Sequence, residues 1–98
     1  MVPVIYAPEA ERDLEAITVF IAKDNPKAAE KFGFRLIERA ELLGSFPRLG
    51  RPVEGKRNVR VLLEGPVKIY YRLRPADQSV DILRFWHASR DPDSLSLD

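Results

Sequence analysis

Residues Val67 to Arg90 restrict the possible folds of this chain more than any other stretch. Val67-Lys68-Ile69-Tyr70-Tyr71-Arg72-Leu73-Arg74 alternates apolar and polar side chains. A polar turn follows, Pro75-Ala76-Asp77-Gln78, and then a second run from Ser79 to Arg90. Two alternating runs around a proline-initiated turn predict a β-hairpin. The side-chain period of a strand is two, so Val67, Ile69, Tyr71 and Leu73 share one face. Lys68, Tyr70, Arg72 and Arg74 share the other, a cationic face holding a tyrosine. The second run brings the single histidine, His87, and then Arg90 to the sheet end.

The rest of the chain supplies what such a hairpin packs against. Val2 to Tyr6 reads as a short first strand. Pro8 opens a helix, with Glu9, Glu11 and Asp13 in its first turns, where acidic groups favour the helix dipole. Ala10, Leu14, Ile17 and Ile21 form its apolar stripe, which Phe20 widens. Asn25 caps a second helix with Pro26 at its first position. There Ala29, Phe32, Leu36, Ala40 and Leu43 recur at helical spacing, and Gly33 allows close approach of the first helix. Gly44-Ser45-Phe46-Pro47 stops it. So short a connection predicts an antiparallel αα-hairpin. Arg48 to Arg57 reads as a basic loop. It lacks the spacing of a phosphate-binding P-loop, which excludes that class of nucleotide site. Asn58 to Glu64 is the next strand, with Val59, Val61 and Leu63 on one face and Arg60, Leu62 and Glu64 on the other. Gly65-Pro66 turns the chain into the hairpin. Leu95 and Leu97 are positioned to pack back onto the fold.

The predicted order is β-α-α-β-β-β, an α+β fold with the helical hairpin on one face of a small, mainly antiparallel sheet. Residues 1–98 are read as one domain, long enough to bury roughly two-thirds of its unfolded surface. The open face is expected to carry Arg60, Lys68, Tyr70 and Arg72. There is no cysteine, so no disulfide framework or thiolate metal site, and a lone histidine makes a metal centre an unfavoured reading. No metal and no cofactor are expected. No apolar run approaches the roughly 18 residues of a membrane span. The first residues have neither a basic region nor an apolar core of signal-peptide type, so a cytoplasmic protein is the expectation.

Net charge is only +1, yet residues 48–74 carry eight basic and two acidic side chains. Such a block points to an anionic partner, or to a strand edge protected by lysine and arginine. Arg51, Lys56, Arg57, Arg60, Lys68, Tyr70, Arg72 and Arg84 are the candidate contacts.

Several segments in order carry a family resemblance. They are Ala7-Pro8-Glu9-Ala10, Asp13-Leu14-Glu15-Ala16-Ile17, Asn25-Pro26-Lys27-Ala28-Ala29 and Phe46-Pro47-Arg48-Leu49-Gly50-Arg51. Asn58-Val59-Arg60, Tyr70-Tyr71-Arg72 and Ile82 through Pro92 complete the set. The chain resembles the RelE/ParE family of toxins from bacterial type II toxin–antitoxin systems, over nearly its whole length. The resemblance implies a growth-inhibiting protein, associated with plasmid stabilisation and neutralised by a cognate antitoxin that wraps a largely acidic segment over it. One branch of the family cleaves messenger RNA on the ribosome, and the other poisons DNA gyrase without a catalytic centre of its own.

For RNA cleavage, Arg60, Lys68 and Arg72 are the phosphate-holding candidates, His87 the acid or base, and Arg90 its helper. The nuclease branch commonly places a tyrosine at or soon after the position following such a histidine. Here Ala88 and Ser89 follow, and no tyrosine occurs after Tyr71. The tail His87-Ala88-Ser89-Arg90-Asp91-Pro92 is more similar to the ParE side, where His87 hydrogen-bonds backbone and Arg90 pairs with Asp91, Asp93 or a carboxylate of the first helix. Phe85 and Trp86 are expected in the core, facing opposite ways. A gyrase-directed poison is the first reading, a ribosome-dependent endoribonuclease the second, and a non-toxic antitoxin-binding remnant the third. The outer surface of the helical hairpin is a candidate for self-association.

Overall fold

The computed structural model describes residues 1–97. Its elements are β1 (Val4–Tyr6), α1 (Pro8–Ala22), α2 (Pro26–Leu42), β2 (Arg51–Pro52), β3 (Val59–Glu64), β4 (Val67–Arg74) and β5 (Ser79–His87), followed by a 3-10 turn at Pro92–Ser94. The sheet order is β1-β5-β4-β3-β2. β1 runs parallel to β5, and the other pairs are antiparallel. This is the expected α+β arrangement with one addition: the basic loop contributes the two-residue edge strand β2.

Both helices begin on proline. The Asn25 side chain accepts the Ala28 N–H at 3.1 Å, the cap that starts α2. A β-carbon on Gly33 would lie 3.1 Å from Thr18 Cγ2, so the glycine sets how closely the helices approach. The core joins Ala10 of α1 and Leu36, Ala40 and Leu43 to Leu62, Val67, Ile69, Tyr71, Val80, Ile82 and Phe85 of the sheet. Phe20 stands outside it at 71% exposure, so it does not widen the buried stripe of α1.

Residues paired across antiparallel strands share a face. Opposite β4, the partners are Arg60↔Tyr71, Leu62↔Ile69 and Glu64↔Val67 on one face, and Val59↔Arg72, Val61↔Tyr70 and Leu63↔Lys68 on the other. The core lies on the Tyr71–Ile69–Val67 face. Glu64 confirms that side by pairing with Arg39 of α2 at 3.1 Å. The expected open face therefore needs one correction: Arg60 is on the helix side, and Val59, Val61 and Leu63 are on the outer side. Alternation within β3 does not determine its direction, because both sets of positions contain apolar residues. The register with β4 does.

β5 contains an irregularity opposite Tyr70 and Tyr71, where the partners step from Arg84 to Ile82 and leave Leu83 extra. An inserted residue reverses strand parity. Val80, Ile82, Phe85 and His87 thus share the helix side, while Asp81, Arg84 and Trp86 share the outer side. Phe85 and Trp86 are both buried and face opposite ways, as expected.

Candidate functional site

The outer face of the sheet is built from four strands, β2 to β5. Lys68, Tyr70 and Arg72 alternate along β4. Arg51 of β2 pairs with Val61 and so joins them, with Lys56 and Arg57 exposed in the adjoining turn. Between these cations lie apolar side chains that sequence patterning assigned elsewhere: Val59, Val61, Leu63 at 51% exposure, and Trp86. The face is therefore a cationic rim around an apolar floor. Long basic side chains achieve this by laying their methylene stems on apolar neighbours while the charges stay in water.

Arg84 and Arg90 flank Trp86, with their guanidinium carbons 5.0 and 3.9 Å from its ring centroid. The buried Trp86 Nε1 donor has no acceptor among the described residues. Arg84 is committed elsewhere: its Nε and Nη2 donate to Asp13 Oδ2 and Oδ1 at 2.7 and 2.9 Å. The hydrogen bond to Asp13 is the main reason its guanidinium is held above its ordinary pKa, against the opposing effect of burial. β1 pairs with β5 only from Val80 to Ile82, and Asp13 occupies the edge beyond, accepting the Phe85 N–H at 3.2 Å. Arg90 also approaches Asp13, at 3.8 Å. A carboxylate of the first helix is thus its partner, one of the expected alternatives. Arg84, a candidate contact from sequence, also anchors α1 to the sheet. Asp13 was legible only as a helix-dipole residue, because no local pattern links it to a residue 71 positions away.

Arg60 is held by the loop after α2. Its Nη1 donates to Gly50 O at 2.6 Å and to Arg48 O at 3.3 Å. Beside it the Tyr71 hydroxyl donates to Pro47 O and accepts the Gly50 N–H, both at 2.8 Å. Burial raises the Tyr71 pKa, while the Gly50 hydrogen bond and the Arg60 charge oppose it. A β-carbon at Gly50 would fall 2.7 Å from Val61 O and 2.8 Å from the Tyr71 ring. Only glycine fits.

His87 closes the far end of β5. Its Nδ1 accepts the Ser89 N–H at 3.0 Å and lies 2.7 Å from the Ser89 hydroxyl. This is the backbone-bonding role considered from sequence. Arg60 is level with Tyr71, and His87 is level with Val67 two strands away. Four residues along a strand and two strand spacings amount to roughly 16 Å between their backbones. The five nuclease candidates therefore divide: Lys68 and Arg72 on the outer face, Arg60 and His87 at opposite ends of the helix side, and Arg90 over Trp86.

The C-terminal segment borders the outer face. Arg72 Nη2 and Arg84 Nη1 donate to Leu97 O and Ser96 O, each at 3.4 Å. Leu95 and Leu97 are half-buried there, as their apolar character suggested. Among the described residues no cluster of His, Asp or Glu is arranged to hold a metal ion. No described helix is long and apolar enough to cross a membrane.

A helical hairpin on a sheet whose outer side is cationic defines the class of protein, and sequence relationships narrow it. Residues 4–92 match the family described as the ParE toxin of the type II toxin–antitoxin system parDE. Toxin RelE2 of Caulobacter vibrioides is 33% identical over 90 residues, spanning 92% of this chain and 99% of the relative. The solved chromosomal ParDE system of P. aeruginosa superposes with a TM-score of 0.75 at 26% identity, over 91% of this chain and 98% of that one. The RelBE2 toxin–antitoxin complex of Mycobacterium tuberculosis shares the fold, with a TM-score of 0.63 at 24% identity over 88% and 96% of the two chains. The chain belongs to the RelE/ParE family of type II toxins, and the family description it matches is that of ParE.

Proposed function

We propose that this protein arrests growth by poisoning DNA gyrase and is neutralised by a cognate antitoxin in the cytoplasm. The division of the nuclease candidates between the two sides and opposite ends of the sheet carries this reading. General acid–base cleavage needs its groups within hydrogen-bond reach of one reacting phosphate. Here the backbones of His87 and Arg60 are roughly 16 Å apart by strand spacing, and the His87 Nδ1 faces Ser89. The match to the ParE description supports the same reading. The antitoxin proposal rests on the structural likeness to the ParDE and RelBE2 systems and on the cationic outer face. An extended acidic segment fits Arg51, Lys68 and Arg72 electrostatically and the apolar floor between them by burial.

A second reading keeps ribosome-dependent mRNA cleavage. Lys68 and Arg72 alternate on the outer face, as phosphate-holding groups would, and one relative carries the name RelE2. The two readings separate in cells. The poison reading expects His87→Ala to retain growth arrest, and primer extension on mRNA from arrested cells to show no new 5′ ends. Toxin-dependent cuts that vanish with His87→Ala would transfer the assignment to the nuclease.

A further inference from the structure

Trp86 is the single tryptophan of the chain, and its buried Nε1 donor has no acceptor among the described residues. Only 2% of the residue is exposed. A buried donor without a partner is unfavourable, and native folds keep few of them. This one lies on the outer side of the sheet, in a cross-strand row with Lys68 and Leu63.

The charges around the indole are unequally used. Arg84 is engaged: two of its nitrogens hold Asp13, and Nη1 makes a long contact of 3.4 Å with Ser96 O. Arg90 is not. Its side chain is half exposed, its guanidinium carbon lies 3.9 Å from the Trp86 ring centroid, and its Nη1 stands 3.8 Å from Asp13, beyond hydrogen-bond length. Among the described residues the Arg90 guanidinium makes no hydrogen bond. Asp91, its neighbour in sequence, accepts the Asp93 N–H. Lys68 is the cross-strand partner of Trp86 and brings a third cation. Against these stand Asp13 and, with a smaller effect on Arg84, Glu9. Positive charge is in surplus, and the least constrained cation covers the ring whose donor is unsatisfied.

We infer that the Trp86–Arg90 corner is a carboxylate seat, filled by an aspartate or glutamate side chain of an acidic peptide segment laid across the outer face. This rests on the reading of that face as the seat of the neutralising segment, and it names the anchor. On binding, the Arg90 guanidinium leaves the ring and pairs with the incoming carboxylate. The Trp86 N–H, uncovered by that movement, donates to the same group. A guanidinium and an N–H converging on one carboxylate make charge-assisted hydrogen bonds, the stronger kind. Asp13 shows the local preference, since its carboxylate already meets both arginines. Leu63, exposed in the same row, supplies apolar surface for the next side chain of the segment. That neighbour favours a peptide of alternating acidic and apolar residues over a phosphodiester backbone.

The single tryptophan gives one indole cross-peak in a proton–nitrogen NMR spectrum of the full chain, so the donor reports on itself. The probe is an acetylated hexapeptide of alternating glutamate and leucine, titrated to about 5 mM, with the glutamine–leucine peptide as control. The glutamate peptide is expected to move the indole proton downfield in a saturable way and to slow its exchange with water. The glutamine peptide is expected to do neither. Arg90→Gln should weaken binding about tenfold, and Arg90→Lys should recover part of the loss. Trp86→Phe keeps a ring and loses the donor. It should weaken binding by a similar factor, read from the backbone amides of Lys68 and Tyr70, with circular dichroism unchanged. Saturable shifts at Lys68, Tyr70 and Arg72 with a stationary indole peak would overturn the carboxylate seat and leave the outer face as the seat of the segment. No shift at any of these groups would overturn both. An indole peak moved by a duplex DNA oligonucleotide and not by the peptide would assign the corner to phosphate and overturn the inference as well.

Discussion

Asp13 accepts hydrogen bonds from two nitrogens of Arg84 and from the Phe85 backbone, while nearly excluded from water. Removing one partner of such a buried pair leaves the other charge uncompensated. Asp13→Ala is expected to lower unfolding free energy by about 3 kcal/mol. Asp13→Asn, which keeps an acceptor, should cost less. Urea denaturation measures both, and an Asp13→Ala loss under about 1 kcal/mol would mean the pair behaves as an exposed one. Gly50 presents a different constraint, since a β-carbon would strike backbone and a buried ring together. Gly50→Ala should cost about 1–3 kcal/mol by displacing the loop that Tyr71 and Arg60 hold. An unchanged thermal midpoint would contradict that packing.

Two phenols connect residue chemistry to pH. Tyr6 is pushed well above its ordinary pKa of 10.0 by burial first, and then by the hydrogen bond and negative charge of Glu41, 2.6 Å away. Tyr71 is raised chiefly by burial. Folding therefore favours the protonated phenol at both positions. Their stabilisation is complete below about pH 10 and is lost as pH rises through the higher folded values. Thermal melts should show stability falling above that pH, and Tyr6→Phe should flatten part of the fall. A Tyr6→Phe curve parallel to wild type above pH 10 would show that Tyr6 makes no contribution to the fall.

At the scale of elements, α1 and α2 meet at Gly33. Gly33→Leu should wedge them apart at a cost of about 1–3 kcal/mol. For Gly33→Ala, the contact at 3.1 Å from Thr18 offsets the gain in helix propensity, so a change within about 0.5 kcal/mol is expected. If Gly33→Leu melts like wild type, the helices are not in the close contact described. The helices themselves were legible because capping and apolar periodicity are local: Asn25, Pro26 and the Ala29–Leu43 stripe behave as their spacing predicts. β4 was legible for the same reason. The direction of β3 was not, since its two faces differ little in hydrophobicity and only the register with β4 orients them. The extra residue at Leu83, which places Arg84 and Trp86 on one outer face, has no local signature either. Of the candidate site, Lys68, Tyr70 and Arg72 were therefore readable from alternation. Arg60, Arg84 and the apolar floor depend on pairings between distant segments.

The whole molecule presents two unlike surfaces: a sheet face with cations around apolar side chains, and a helical face with an apolar groove bordered by Glu11, Glu15 and Glu30. The first is the surface proposed above for an acidic neutralising segment. The cations also bear on mechanism. They are spread over several strands, and the histidine stands at the end of β5 with its Nδ1 on Ser89. Such an arrangement suits capture of a macromolecular target better than acid–base chemistry at one bond.

The most direct test combines purified antitoxin-free protein with DNA gyrase, ATP and relaxed plasmid, and resolves the products on a gel. Inhibited supercoiling with accumulation of linear DNA is expected, and the same result with His87→Ala. Normal supercoiling without cleaved DNA, from a preparation that arrests growth in cells, would contradict it and return Lys68, Arg72 and His87 to the ribosome.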